Sequence, residues 1–170
     1  MQLRRATADD AIKDAQSILE VHYAAVHGTG PKSPWQYYDD SILQAWSPQV
    51  NAERVDSWVT RLKEKPDFEL ITVAEVDQKI VGFSSFAPKL NELYACYVKP
   101  EAGGRQVGQA LLADIESQCH SMKLGWLTLD ASLNAEAFYL ANGYQADGLG
   151  SHALPGGLEM RCVRMYKFLD

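Results

Sequence analysis

Cysteines are scarce in this sequence, and their pattern excludes two common classes of small protein. The 170 residues include three cysteines, Cys96, Cys119 and Cys162, with no CxxC pair and no nearby histidine pattern. A disulfide framework needs paired cysteines, and a zinc site needs closely spaced ligands. We therefore expect neither a disulfide scaffold nor a bound metal, and a reducing compartment such as the cytoplasm is the expected location.

Long apolar runs and an excess of positive charge are also lacking. The sequence has no run of about eighteen apolar residues, the length needed to cross a membrane. Residues 1–10 also lack the apolar region of a secretory signal. The net charge is −6, whereas a nucleic-acid binder needs a concentrated basic face. We expect no membrane and no nucleic-acid partner, and the acidity weakly favours a cationic acceptor.

What is present is the ordinary balance of one globular domain spanning residues 1–170, with 46% hydrophobic and 22% charged residues. Periodicity predicts strands at 2–5, 68–76, 80–86, 92–98, 126–131 and 158–168. Four helices are predicted. The first begins at the capping pair Thr7 and Asp10 and ends before Gly28, and its inward face is formed by Ile12, Ala15, Leu19, His22 and Val26. The others run from Asn51 to before Pro66, from Gln109 to Met122, and from Asn134 to Ala141. Residues 28–48 are predicted to form a long loop rich in aromatic rings.

A glycine-containing turn follows the strand at 92–98. Gly103, Gly104 and Gly108 precede an amphipathic helix, and the unpaired amides at a helix start attract phosphate when glycines allow close approach. The turn could cradle a pyrophosphate or could simply reverse the chain, and the glycines alone do not separate these readings.

A second motif narrows the choice. Asn134-Ala135, Phe138-Tyr139 and Gly143-Tyr144 follow the strand at 126–131. Together with the glycine turn, they resemble the signature of the GCN5-related N-acetyltransferase (GNAT) family, although the first 65 residues match it in organisation only. The resemblance implies an α/β (α+β) fold with a mixed, mostly antiparallel central sheet flanked by helices. It also implies that the fourth and fifth strands splay to admit pantetheine.

The function implied by the resemblance is transfer of the acetyl group of acetyl-CoA to a primary amine by direct attack in a ternary complex. Tyr139 corresponds to the acid that protonates the departing thiolate, and Glu92, six residues before Val98, to a general base. The Val98 amide would face the thioester oxygen. The acceptor would be a small-molecule or peptide amine, and no metal would take part.

The binding residues implied by the resemblance form two sets. The cofactor set is Tyr97, Val98, Gly103, Gly104, Arg105, Gln106, Val107, Gly108, Gln109 and Asn134, and the acceptor set is Tyr38, Trp46 and His152. Asn134 could equally be a helix N-cap, and Glu92 could be a solvated residue at a strand end.

Gln106 departs from the family pattern. Aligned by Pro100 and the Leu111-Leu112 pair, the chain has Gln106 where the loop normally has its middle glycine. A second register, Arg105-x-x-Gly108-x-Ala110, fits literally but moves the loop two residues into the helix. We prefer the first register, in which a left-handed Gln106 would cost about 1 kcal/mol.

Two alternative functions remain open at this point. Gly103, Gly104 and Gly108, with Asp130 as a ribose ligand, could mark a dinucleotide-binding domain, although too few residues follow for further βαβ units. A non-catalytic acyl-CoA-binding sensor or interaction module of the same fold is the second, and Gln106 favours it. Exposed C-terminal strands also make a homodimer a reasonable expectation.

Overall fold

The computed structural model of the protein describes residues 1–64 and 68–169, and in this part of the chain seven strands form one sheet. They are β1 (Gln2–Arg5), β2 (Leu70–Val76), β3 (Lys79–Ala87), β4 (Glu92–Val98), β5 (Trp126–Ser132), β6 (Gln145–Ala153) and β7 (Glu159–Phe168). The order is β1-β2-β3-β4-β5-β7-β6, and every neighbouring pair is antiparallel except the parallel pair β4 and β5. The predicted fold class is confirmed.

Helices cover both faces of the sheet. They are α1 (Ala11–His27), α2 (Asp40–Trp46), α3 (Ala52–Glu64), α4 (Val107–Ser121) and α5 (Glu136–Ala141). On one face, Ile18 of α1 packs in a cluster with Phe83 of β3. On the other, Ile115 of α4 packs with Leu127 and Met165. None of the helices in the described ranges has the length and apolar character needed to cross a membrane.

The start of α1 differs from the prediction. The helix begins at Ala11 after Asp10, and no side chain caps it, so the predicted capping pair does not form. Ile12 is 69% exposed, whereas Ala11 is buried. Because the buried face runs through Ala11, Ala15 and Ile18, Ile12 lies about 100° away from it around the helix.

The predicted loop at 28–48 contains regular structure. Residues Pro34–Gln36 form a single 3₁₀ turn, and α2 follows it. The Asp39 side chain caps α2 by accepting the Ile42 amide at 3.0 Å. With seven residues, α2 is too short for its periodicity to stand out among the prolines and aromatic residues around it.

The other helix ends agree with the prediction in part. Asn51 caps α3 by accepting the Arg54 amide at 2.9 Å, while Pro66, the predicted stop, lies outside the described residues. The α5 helix begins after Ala135 rather than at Asn134, so Asn134 is not its N-cap. Its predicted stop is confirmed, because Gly143 follows in the left-handed region at φ 86°.

The turn before α4 contains two left-handed residues. Gly104 has φ 73° and Gln106 has φ 61°. Gln106 is therefore the strained residue of the turn, since only glycine adopts this conformation without a steric penalty from its Cβ.

Replacing that residue with glycine should stabilise the protein. We expect Gln106→Gly to raise the free energy of unfolding by about 1 kcal/mol, because relief of the left-handed strain exceeds the added entropy of the unfolded chain. The measurement is urea denaturation followed by circular dichroism. Arg105→Gly is the matched control, since Arg105 is not left-handed and should lose stability; equal effects at both positions would contradict the assignment of strain.

Candidate active site

The site is organised by a gap in the sheet between β4 and β5. These strands pair through Glu92 with Thr128 and through Leu93 with Leu129, and no further pair is formed by their described residues. Beyond Leu93, β4 continues to Val98 along β3, while β5 continues to Ser132 along β7. The two strands therefore separate, as the predicted splay requires.

Two backbone amides of β4 point into this gap. Lys99 donates its amide to the Val81 carbonyl at 2.8 Å. Because hydrogen-bonded and non-hydrogen-bonded pairs alternate in an antiparallel ladder, Val98 opposite Gly82 and Cys96 opposite Ser84 are non-hydrogen-bonded to β3. Their amides are directed away from β3, toward the side where no described β5 residue pairs with them.

A β-bulge in β4 sets which side chains face each layer. Leu93 pairs with Phe86 and Ala95 with Ser85, so Tyr94 has no partner on β3. After this extra residue, Ala95 and Tyr97 pack toward α1 and α3. Tyr97 thereby reaches the face of the sheet on which α1 and α2 lie.

The first of three neighbouring spaces has a volume of about 560 Å³ and is lined by residues 28–34 and by residues of the gap. We call it the cofactor cleft after the predicted cofactor residues that line it. Five of the predicted cofactor residues line it: Tyr97, Val98, Gly103, Gly104 and Asn134. The other five, Arg105, Gln106, Val107, Gly108 and Gln109, form the adjoining turn and the first turn of α4.

The N-terminus of α4 is suited to an anion. The first amides of a helix lack intrahelical partners and carry the positive end of the helix dipole. In this fifteen-residue helix no side chain caps them. Gly108 allows α4 to approach α5 closely, because a Cβ at this position would lie 3.3 Å from the Phe138 ring.

Asn134 supplies an unpaired polar atom in the cofactor cleft. Its Oδ1 is buried and accepts no hydrogen bond from the described residues, although Asn134 lines the cleft. A buried oxygen without a donor costs about 1–3 kcal/mol. An amide N–H of a pantetheine arm would satisfy it, so these residues fit coenzyme A.

The second space, the central gap, has a volume of about 50 Å³ and is lined by residues that include Tyr139. Tyr139 is 6% exposed, and its ring packs edge-on against Phe138 at 5.1 Å and Tyr144 at 5.6 Å. No described group hydrogen-bonds its hydroxyl. Burial, followed by the nearby Cys96, raises the pKa of Tyr139 well above its ordinary value, so the phenol stays protonated and can donate.

Cys96 also lines the central gap. Burial raises the pKa of its thiol to about 12, and the thiolate is the nucleophilic form of cysteine. Cys96 is therefore a small buried side chain in this site rather than a nucleophile.

The third space has a volume of about 570 Å³, and we call it the acceptor cleft after the predicted acceptor residues Trp46 and His152, which line it. Glu92 and Asp130 line it as well. Burial, and next the charge of Asp130, raise the pKa of Glu92, while His152 lowers it. Glu92 is thus more basic than an exposed glutamate, as a general base working near neutral pH should be.

Tyr38 lies outside the lining of all three spaces. Its hydroxyl donates to the Arg161 carbonyl and accepts the Leu133 amide, both at 2.7 Å. With both contacts used, Tyr38 tethers the segment before α2 to β7 and to the turn after β5. The structure thus gives Tyr38 a structural role, and the predicted acceptor residues that line a cleft are Trp46 and His152.

Trp46 and Tyr97 border all three spaces. Both residues line the cofactor cleft, the central gap and the acceptor cleft. The Trp46 indole donates to the Tyr97 hydroxyl at 3.0 Å, which holds α2 against β4.

Sequence reasoning missed most of the acceptor cleft, including Asp130, His22 and Arg54. The sequence suggested Asp130 only as a ribose ligand. A parallel β4–β5 pair, however, places the strand of Asp130 beside the strand of Glu92. His22 was assigned to the apolar stripe of α1, and its polar ring was the signal that could have identified it as a site residue. Arg54 carried no signal beyond its place in the first turn of α3.

Across residues 1–64 and 68–169, no three His, Cys, Asp or Glu side chains gather in a group that could hold a metal ion.

Solved structures share this fold over nearly the whole chain. A GCN5-related N-acetyltransferase from Rhodopseudomonas palustris, also described as a class-II aminotransferase, is 25% identical, with a TM-score of 0.81 over 99% of this chain and 95% of the other. The PaiA N-acetyltransferase of Thermoplasma acidophilum, solved with coenzyme A, is 20% identical, with a TM-score of 0.71 over 98% of each chain. The ribosomal-protein-alanine N-acetyltransferase of Brucella melitensis is 22% identical, with a TM-score of 0.68 over 99% of this chain and 100% of the other.

Sequence comparison assigns the family. Among proteins with curated descriptions, none matches this chain. Residues 34–161, however, match the family model described as the acetyltransferase (GNAT) domain. This match covers most of the chain and includes the gap between β4 and β5, the turn before α4, and α5. The protein belongs to the GNAT acetyltransferase family.

Proposed function

We propose that this protein transfers the acetyl group of acetyl-CoA to a primary amine by direct attack within a ternary complex. One observation carries the proposal: the cofactor cleft, the acceptor cleft and the central gap share Trp46 and Tyr97 in their linings, and Tyr139 lines the central gap. Two substrates can therefore be bound at the same time with their reacting groups adjacent, so no covalent enzyme intermediate is needed.

The cofactor cleft would hold coenzyme A. The free amides at the start of α4 would receive the pyrophosphate, and Asn134 would accept a hydrogen bond from the pantetheine arm. The amides of Val98 and Cys96 that point into the gap could donate to the thioester oxygen, whose negative charge grows in the transition state. Acetyl-CoA supplies an activated acyl group.

The acceptor cleft would supply the base. An acceptor amine enters as an ammonium ion, and Glu92, directly or through water, takes one proton to expose the nitrogen lone pair. The nitrogen then bonds to the acyl carbon as the carbon–sulfur bond breaks, and the nitrogen loses a second proton. The raised pKa of Glu92 suits it to receive a proton at neutral pH.

Tyr139 would supply the acid. Its phenol stays protonated because burial raises its pKa, and its hydroxyl has no other described partner. It can therefore donate to the departing sulfur, and solvent or the amine proton restores it afterwards.

Two relatives support transfer to an amine. The Thermoplasma acidophilum structure contains coenzyme A, and the Brucella melitensis protein is named for acetylating a ribosomal-protein alanine. We propose a small-molecule or peptide amine as the acceptor here, a cytoplasmic location, and a homodimer formed through the edge strand β6, where Leu149 is 64% exposed.

A second candidate is a non-catalytic acyl-CoA sensor of the same fold. The strained Gln106 beside the proposed pyrophosphate site favours it, because a loop that binds coenzyme A weakly suits a protein that reports the level of its ligand. Acetyl transfer separates the two candidates, since a sensor would bind coenzyme A without turnover.

We expect Tyr139→Phe to lower kcat by roughly 10²- to 10⁴-fold, the usual contribution of a positioned acid or base. The affinity for coenzyme A should stay unchanged, because only the hydroxyl is removed. The measurements are thiol release from acetyl-CoA with an amine panel and calorimetric titration of coenzyme A. Tyr166→Phe, on β7 outside the three spaces, is the control.

Equal activity of Tyr139→Phe and wild type would show that Tyr139 is not the acid. Binding of coenzyme A by the wild type, with no amine acetylated, would instead favour the sensor.

Glu92→Gln should change the pH profile of kcat/KM. The base works only when ionised, and its pKa is raised, so wild-type activity should fall as the pH drops through a value above that of an ordinary glutamate. The variant should lose this acidic limb and be slower at neutral pH. Glu159→Gln, on the exposed side of β7, should leave the profile intact; an unaltered limb in Glu92→Gln would assign the base elsewhere.

A further inference from the structure

The acceptor cleft contains two separate groups of ionisable residues. Asp130 raises and His152 lowers the pKa of Glu92, so these three lie together, where β4 and β5 part. Arg54 and His27 are the groups that act on His22. The cleft thus has an acidic end beside the central gap and a second end, formed by α1 and α3, with a different character.

His22 presents an unpaired polar atom to this second end. It lines the cleft, and its Nε2 is buried without a hydrogen-bond partner among the described residues. The ring packs at 4.5 Å from that of Tyr97. Burial, then Arg54 and His27, lower the pKa of His22 to about 3. The imidazole is therefore neutral at neutral pH, and in one tautomer its Nε2–H can donate to a ligand.

Arg54 carries a charge that no described carboxylate neutralises. Its guanidinium donates to the backbone carbonyls of Pro48 and Gln49, which leaves the charge itself uncompensated. Arg61, the other arginine of the cleft, differs because it pairs with Glu69 at 2.5 Å. Arg54 is thus the cation of the acceptor cleft that remains available to a ligand anion.

The cleft also has apolar walls. Trp58, Phe83 and Met160 line it, and Trp58 packs edge-on against Phe83 at 6.0 Å. A ligand in the cleft would meet carboxylates, a cation and an apolar surface that suits an apolar side chain.

We propose that the acceptor is an amino acid with an apolar side chain, whose carboxylate is held by Arg54 and His22 while its amine faces Glu92 and Asp130. The inference rests on the proposed function, because it identifies the substrate class of that same site. Arg54 supplies the charge, and the Nε2–H of His22 supplies a directed hydrogen bond to a carboxylate oxygen. A polyamine or a protein N-terminus lacks the carboxylate beside its amine and would leave both groups unpaired.

The test compares ligands that differ only in the carboxylate. Coenzyme A-loaded protein is titrated by calorimetry with each apolar L-amino acid and with its carboxamide. Acetyl transfer to the same compounds and to a diamine is followed by thiol release. The variants are Arg54→Gln and His22→Phe, and Lys79→Gln, exposed at the start of β3, is the control.

We expect at least one amino acid to bind roughly ten- to a hundredfold more tightly than its carboxamide, the effect of a charge-assisted hydrogen bond. Arg54→Gln should abolish this preference and His22→Phe should reduce it, while neither changes binding of the carboxamide more than a few-fold. Lys79→Gln should behave like wild type.

The inference is overturned if no apolar amino acid binds more tightly than its carboxamide, or if Arg54→Gln weakens both alike. Acetylation of the diamine alone would overturn it and leave the acetyltransferase proposal standing. A preference for amino acids that depends on Arg54, without acetyl transfer to any amine, would show a carboxylate site but overturn both the acetyltransferase proposal and the role of the amino acid as acceptor.

Discussion

The loss of hydrogen bonding between β4 and β5 is the constraint on which the rest of the site depends. Two strands that diverge inside a sheet leave backbone groups without partners, which is costly where water is excluded. Here β3 and β7 hold the outer edges of the diverging strands, so the gap persists. The amides of Cys96 and Val98 face this gap, and Trp46 and Tyr97 line both the gap and the two clefts.

Burial gives the two proposed proton-transfer groups opposite roles. It disfavours the charged form of each group, so it keeps Tyr139 a protonated phenol and makes Glu92 a stronger base. A phenol starts far above neutral pH and a carboxyl far below it. The same physical effect therefore separates an acid from a base, and the charge of Asp130 adds to it at Glu92.

The sequence predicted the parts of the fold that have strong local signals. Residue patterns predicted the strand at 92–98, the hairpin of β2 and β3, and the helix stop at Gly143. The β4–β5 splay was predicted from the family resemblance. The acceptor cleft was less legible because it forms from segments distant in the chain. Asp130, His22 and Arg54 meet there only through tertiary packing, and Tyr38 could not be separated from Trp46 until its two backbone hydrogen bonds were seen.

Trp46 has a consequence for how the two substrates influence each other. Since it borders both clefts and is tied to Tyr97, any shift of the indole on binding one substrate changes the surface offered to the other. Such coupling is reciprocal, so each substrate must alter the affinity for its partner by the same factor. Trp46, on a seven-residue helix, is thus a residue through which occupancy of one cleft would alter the surface of the other.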